Sequence, residues 1–97
     1  MPTYISLMKL TEQGIKNIKD APKRVEAARK VIEGAGGKMP NFYLTMGEYD
    51  YVAITEFPSD ESATAFLLGL GALGNVRTTT LRAFTEKEFA ALVKKLP

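Results

Sequence analysis

The sequence contains neither cysteine nor histidine among its 97 residues. Without cysteine, the chain can form no disulfide framework and no thiolate metal site. Without histidine, it lacks the commonest general base, the usual haem ligand and most zinc chemistry. Any catalysis would have to use carboxylates, tyrosines, lysines, a hard metal ion or a separate cofactor, and the sequence itself indicates no metal site and no resident cofactor.

Long apolar runs are also missing. None approaches the roughly 18 residues that a membrane span requires, and the first residues, MPTYISLMKLTEQG, lack the basic start and the cleavage site of a signal peptide. We therefore expect a cytoplasmic protein with no membrane partner. A chain of 97 residues is expected to form a single domain over 1–97, with a thin core.

Strong charge of one sign is absent as well, since the formal net charge is only +2. This value is too small to imply binding to nucleic acid or membranes. Residues 1–38 do hold eight lysines and arginines against four acids. Most of these basic residues fall on one predicted helix, and a solvated helix face explains them.

Alternation of polarity and β-favouring residues predict four strands, over 3–10, 40–46, 50–57 and 76–84. Helix signals separate them. Thr11 is the predicted N-cap of a first helical segment, and Asp20 followed by Pro22 predicts a second helix start. The helix that begins there is predicted to end at Gly36-Gly37.

Two further helix starts follow later in the chain. Ser59 is the predicted cap of the second helix, and Thr85 with Glu88 forms a predicted capping box for a C-terminal helix. The order β-α-β-β-α-β with a C-terminal helix predicts an α+β, ferredoxin-like fold with an antiparallel four-stranded sheet.

The segment GLGALG at residues 69–74 matches the spacing of a dinucleotide-binding loop. Such a loop must follow a strand and open a helix, because the phosphates bind at the helix N-terminus. Here the segment follows a helical run and precedes a strand. We therefore interpret it as the end of a helix, with Gly74-Asn75 as the left-handed stop.

Both helices of this fold cover one face of the sheet, and alternation divides the strand residues between the two faces. It predicts that the helix side carries Ile5, Leu7, Val52, Ile54, Thr79, Leu81 and Ala83. It predicts that the other side carries Tyr4, Ser6, Met8, Tyr51, Ala53, Thr55, Phe57, Val76, Thr78, Thr80 and Arg82. The facing of residues 40–46 stays open.

The second set mixes large apolar side chains with hydroxyls and one arginine. Large apolar patches are seldom exposed on monomers, and symmetric dimers are the commonest oligomers. We therefore predict a homodimer, with possible further assembly, in which two sheets pack face to face. The alternative cover is the C-terminal helix, whose apolar stripe is Phe89, Leu92, Val93 and Leu96.

A barrel of this kind would enclose a pocket with apolar walls and a few polar groups. The predicted ligand-binding residues are Tyr4, Ser6, Tyr49, Asp50, Thr78, Thr80 and Arg82. Arg82 is the sharpest candidate, because a buried guanidinium needs an anionic partner. That partner is either a ligand or one of three acids, Asp50, Glu48 and Glu56. The threonines also fit plain β-propensity.

Tyr49 and Asp50 belong to the segment Gly47-Glu48-Tyr49-Asp50, which has ordinary turn chemistry. The functional interpretation places them at the barrel mouth as a proton donor and a carboxylate. An environment that raises the pKa of Asp50 would be needed for acid–base work near neutrality.

Three stretches of the chain together carry a resemblance to a known family: TYISLMKLTEQGIKN, FYLTMGEYDYVAITEFP and GNVRTTTLRAF. With them the sequence resembles the GYD-domain family, a small bacterial family named for a Gly-Tyr-Asp signature. The signature itself reads Gly47-Glu48-Tyr49-Asp50 here. The resemblance implies a ferredoxin-like protomer of the dimeric α+β barrel superfamily, and it implies no particular reaction.

Three functions remain to be compared. One is a dimeric-barrel enzyme acting on a small oxygenated or aromatic anion, since the superfamily includes monooxygenases, lactone isomerases and polyketide cyclases. Another is a barrel that binds a small anionic or aromatic ligand without chemistry, or a purely structural or regulatory oligomer. RNA binding is disfavoured, because Glu48 and Asp50 stand where an RNA-recognition strand needs small residues and would repel phosphate.

Overall fold

The computed structural model of the chain describes residues 1–97. Its elements in chain order are β1 (Thr3–Leu10), α1 (Glu12–Lys16), a 3₁₀ turn (Ile18–Asp20), α2 (Ala21–Gly34), β2 (Lys38–Leu44), β3 (Tyr51–Glu56), α3 (Asp60–Ala72), β4 (Val76–Ala83) and α4 (Glu86–Val93). The strands form one antiparallel sheet in the order β2-β3-β1-β4. This is the predicted α+β, ferredoxin-like fold.

Local capping sets where most helices begin. Thr11 and Ser59 each accept a backbone hydrogen bond of 3.1 Å, as predicted. Thr85 and Glu88 form the predicted capping box at the start of α4. The helix start predicted at Asp20 is confirmed in position, since α2 begins at Ala21 with Pro22 in its first turn, but the Asp20 side chain makes no capping hydrogen bond.

At Gly14 and at Gly74, the structure requires a glycine. A Cβ on Gly14 would lie 2.1 Å from the carbonyl oxygen of Asn75, so α1 approaches the α3–β4 turn more closely than any side chain allows. Gly74 has φ +82°, the left-handed conformation that glycine adopts without strain. The segment GLGALG therefore ends α3 and precedes β4, as predicted.

The two faces of the sheet are reversed relative to the prediction. The helices cover the face that alternation had left for the dimer. Its buried members are Tyr4, Ser6, Met8, Tyr51, Ala53, Thr55, Phe57 and Val76. By strand register, Thr78, Thr80 and Arg82 lie opposite Met8, Ser6 and Tyr4 and therefore share that face.

The reversal has a physical reason in how the polar groups are satisfied. The hydroxyls of Ser6 and Thr80 lie 2.8 Å apart across β1 and β4, so each is hydrogen-bonded without water. Helices with small residues such as Ala21 and Ala63 on their buried side leave room for the large rings of Tyr4 and Phe57. Polarity alone therefore pointed to the wrong face.

The other side of the sheet has no helix on it. We call it the open face. Its residues are Ile5, Leu7, Tyr43, Val52, Ile54, Thr79 and Leu81. Leu81 is 50% and Tyr43 54% exposed, while Ile5, Leu7, Val52 and Ile54 are half-buried. The same registers place polar residues around this apolar centre, namely Thr3, Lys9, Asn41, Glu56 and Arg77.

The C-terminal helix α4 does not cover this face, since none of its residues is buried. Phe89 and Leu92 on its apolar stripe are 62% and 43% exposed. The radius of gyration is 14.6 Å, above the about 13 Å of a compact domain of this length. Only 13 of the 97 residues are buried, so the isolated protomer leaves much apolar surface uncovered.

None of the helices is both long and apolar enough to pass through a lipid bilayer.

Candidate ligand-binding site

A cavity of about 400 Å³ lies between the helix-covered face of the sheet and the pair α2 and α3. We call it the helix–sheet cavity. The sheet contributes Tyr4, Ser6, Met8, Phe42, Tyr51, Ala53 and Thr55, and the helices contribute residues that include Arg24, Val25, Ala28, Ile32, Ala63, Phe66 and Leu70. Its size falls in the range of about 300–1,000 Å³ in which proteins hold small ligands.

The cavity opens to solvent between α2 and α3. Val31 of α2 and Leu73 just after α3 both line it, yet they are 60% and 67% exposed. At the closed end Phe57 is 1% exposed and packs against the rings of Tyr4 and Phe66, with centroid distances of 6.0 and 5.6 Å. A ligand would therefore enter between the helices and meet an aromatic end wall.

Polar groups in the lining are few. Ser6 and Thr55 are 3% and 5% exposed, and Asn75 and Arg24 lie near the end where β1 finishes. No buried side-chain nitrogen or oxygen in the chain lacks a hydrogen-bond partner. The apolar walls would thus select for an apolar or aromatic body, and the few polar groups would fix its orientation.

Tyr4 connects the aromatic end of the cavity to a charged cluster beside it. Its hydroxyl donates a hydrogen bond to the Asp60 carboxylate. Burial, together with that hydrogen bond, raises the pKa of Tyr4 to about 12. Tyr4 therefore keeps its proton at neutral pH and cannot serve as a base there.

Arg82 belongs to the same cluster but does not line the cavity. Its Nε lies 4.0 Å from Asp60 Oδ1, and its guanidinium packs over the rings of Phe84 and Tyr4 at 4.6 and 5.8 Å. Its acidic partner is therefore none of the three predicted, Asp50, Glu48 and Glu56. Asp60 was not predicted as the partner because it lies in the first turn of α3, where an acid is ordinarily explained by the helix N-terminus. It comes beside Arg82 through Tyr4, which lies opposite Arg82 on β1 and donates its hydroxyl to Asp60.

The other predicted site residues divide between two places. Thr80 binds Ser6, while Thr78 lies opposite Met8, and neither threonine lines the cavity. Tyr49 and Asp50 lie in the β2–β3 connection at the far end of β1. The structure thus brings Tyr4 and Ser6 into one cavity and leaves the remaining five outside its lining.

The segment Gly47-Glu48-Tyr49-Asp50 holds the end of β1. The Asp50 carboxylate accepts a hydrogen bond of 2.8 Å from the backbone N–H of Leu10, and its own N–H donates to the carbonyl of Met8 at 2.8 Å. The Lys9 ammonium lies 3.5 Å from Glu48 Oε1 and 5.4 Å from the ring centre of Tyr49. Gly47 turns the chain with φ +100°.

Arg24 lines the cavity although the sequence predicts no such role for it, because a solvated helix face also explains the basic residues of α2. Helical spacing was the available signal. Arg24 lies four residues before Ala28 and seven before Val31, so it shares their side of the helix.

No group of three or more histidine, cysteine, aspartate or glutamate side chains lies close enough to hold a metal ion.

A family model described as "GYD domain" matches residues 4–93. This chain is a member of the GYD domain family. A relative of this GYD domain with the name "Glutamine synthetase and cystathionine beta-lyase binding protein", from Thermus thermophilus, is 30% identical over 95 residues. The alignment covers 97% of this chain and 100% of that protein.

A solved structure is also similar to this GYD domain. The crystal structure of TTHA0845 from Thermus thermophilus aligns with a TM-score of 0.56 and 26% sequence identity. The alignment covers 88% of this chain and 95% of that one. Among the signature positions of the GYD domain, Asp50 and Tyr49 contact the end of β1 and Gly47 turns the chain, while the helix–sheet cavity is lined by other residues.

Proposed function

We propose that this GYD-domain protein binds a small, largely apolar or aromatic ligand in the helix–sheet cavity and acts as a homodimer. The observation that carries the proposal is a cavity of about 400 Å³ with mostly apolar walls and a solvent-open mouth between α2 and α3. An unfilled cavity of this size weakens a small domain, because its lining atoms lose packing partners. A bound ligand would restore those contacts.

The open face supports the homodimer. Its residues form a continuous apolar surface over the two central strands, with Ile5 and Leu7 on β1 beside Val52 and Ile54 on β3. Contiguous apolar patches of this kind on soluble proteins mark association sites. Two copies packed open face to open face would cover both patches at once, and each cavity would lie on the outer side of its own sheet.

The test of ligand binding fills the cavity with a side chain. Ala28 lines the cavity, so Ala28→Phe places a ring inside it, whereas Ala72→Phe at the end of α3 puts the same ring at an exposed position outside the lining. The probe is N-phenyl-1-naphthylamine, a neutral aromatic molecule that fluoresces in apolar sites. We expect the wild type and Ala72→Phe to bind it and Ala28→Phe to bind at least tenfold more weakly (about 1.4 kcal/mol).

Two results would count against ligand binding. Equal fluorescence titrations for Ala28→Phe and Ala72→Phe would place the probe elsewhere on the protein. Absence of any titration with the folded wild type, together with no rise in melting temperature across a set of aromatic and aliphatic small molecules, would remove the proposal, because a ligand of the native state must stabilise it by mass action.

Binding to another protein is the second candidate, since the Thermus relative is named for binding two enzymes. The observation that favours it here is the tip of the β2–β3 hairpin, where Leu44 is 76% and Met46 99% exposed. The test is surface-plasmon resonance with purified glutamine synthetase and cystathionine beta-lyase from the same organism. A Leu44→Ser/Met46→Ser variant should lose the signal, and no signal with the wild type would exclude these partners.

A further inference from the structure

We propose that the helix–sheet cavity selects ligands that carry a carboxylate on an apolar body, and that Arg24 binds that carboxylate. The inference rests on the proposed ligand-binding function and adds the chemical class of the ligand. Arg24 is the only charged residue in the lining, and no acidic side chain is present there. A partly exposed guanidinium at one end of a mostly apolar cavity favours an anionic ligand over a neutral or cationic one.

Arg24 is also free of a carboxylate partner within the chain. Arg29 is paired with Glu26 at 3.0 Å and Arg82 lies 4.0 Å from Asp60, whereas no acid lies within 4.0 Å of Arg24. The guanidinium instead donates to two backbone carbonyls, those of Asn17 at 2.8 Å and Gly14 at 3.4 Å. These bonds fix the group in place while leaving further N–H donors of its five available.

The position of Arg24 gives the cavity two unlike ends. Arg24 donates a hydrogen bond to the carbonyl of Gly14, and Gly14 lies against Asn75. Arg24 therefore lies at the end of the cavity that is lined by Leu10 and Asn75. Tyr4 and the aromatic wall lie at the other end of β1, about 20 Å away at the rise of a strand.

The N-terminus of α2 adds to the positive potential at the end of the cavity where Arg24 lies. Ala21, the first residue of α2, lines the cavity there, so the positive end of the helix dipole lies beside the guanidinium. An elongated molecule with an apolar chain or ring at one end and a carboxylate at the other matches this arrangement. A cation or a neutral molecule of the same shape would leave Arg24 unpaired.

The experiment compares three molecules with the same eight-carbon chain, octanoate, 1-octanol and octylammonium, as competitors of N-phenyl-1-naphthylamine. On the wild type we expect octanoate to displace the probe at about tenfold lower concentration than 1-octanol, since hydrogen bonds between charged groups are the strong ones. Octylammonium should be the weakest. Arg24→Gln should remove the preference for octanoate, and Arg24→Lys should retain part of it.

The matched control is Lys23→Gln, which removes the same charge from an exposed neighbouring position on α2. It should behave as the wild type. Unchanged affinity of Arg24→Gln for the neutral probe shows that the variant keeps its cavity. Equal displacement by octanoate and 1-octanol on the wild type, or equal effects of Arg24→Gln and Lys23→Gln, would overturn the assignment while leaving ligand binding intact. No binding of the neutral probe would overturn both.

Discussion

The reversed facing of the sheet leads to a sharp prediction about two adjacent residues. Leu7 lies on the open face, opposite Val52 and Thr79 on the neighbouring strands, whereas Met8 is 7% exposed and belongs to the core. We expect Leu7→Lys to dissociate the proposed dimer without unfolding the protomer. We expect Met8→Lys to unfold the protomer, because it places an unpaired charge in the core.

The magnitude follows from burial and symmetry. Full burial of a leucine side chain contributes about 1.5–3 kcal/mol, but the protomer already buries most of Leu7, so association adds about a third of that value, about 0.5–1 kcal/mol per copy. A two-fold interface contains the substitution twice, so Leu7→Lys weakens association by about 1–2 kcal/mol through lost burial, which raises the dissociation constant about 5- to 30-fold, and the removal of two ammonium groups from water adds to this effect. The isolated protomer should change by no more than about 0.5 kcal/mol, since a lysine on the open face of a monomer remains in water.

The assay is sedimentation velocity over a concentration series, with circular dichroism on the same samples. Wild type should sediment as a dimer at micromolar concentration, and Leu7→Lys as a folded monomer. A wild type that sediments as a monomer would refute the homodimer. If Leu7→Lys stays dimeric with unchanged affinity, the open face is not the interface. If Leu7→Lys unfolds while Met8→Lys remains folded, the assignment of the two faces is wrong.

Three further predictions concern stability and ionisation. Gly14→Ala should lower the free energy of unfolding by more than about 2 kcal/mol, because the new methyl group would collide with a backbone carbonyl. Gly34→Ala in α2 meets open space and should raise the free energy of unfolding by about 0.5–1 kcal/mol. Urea unfolding measures both changes. Asp50→Ala should cost about 1–3 kcal/mol in the same assay, because it removes the acceptor of a backbone N–H at the end of β1. Absorbance titration at alkaline pH should find one of the four tyrosines ionising near pH 12, and Tyr4→Phe should remove that late step. Because the pKa of folded Tyr4 is raised from 10, its contribution to stability is complete below about pH 10 and is lost as the pH rises towards 12. A complete titration of the wild type near pH 10 would contradict the Tyr4 assignment.

The sequence predicted the elements of the fold well and the facing of the sheet badly. Strand bounds agree within two residues, and the caps at Thr11, Ser59 and Thr85 are confirmed, because these features depend on neighbouring residues. Facing depends on which set of alternating residues the helices cover. Both sets are apolar enough to be buried, and the pairing of Ser6 with Thr80 joins residues 74 positions apart.

The candidate site was predictable only in part for the same reason. Tyr4 and Ser6 line the cavity because alternation places them on one face of a strand, although the face itself was misassigned. Arg24 was overlooked since a basic residue on an amphipathic helix is ordinarily solvated. Its place in the lining depends on the gap between α2 and α3, which no local pattern in the sequence describes.

The contacts of Asp50 tie the signature turn to the helix–sheet cavity through the main chain. Its carboxylate accepts from the N–H of Leu10 and its own N–H donates to the carbonyl of Met8, and both of those residues line the cavity. Asp50 thus braces one wall although its own side chain forms no part of the lining. A mutant library aimed at reshaping the cavity should leave Asp50 untouched, because a change there shifts the wall before any lining side chain has been exchanged.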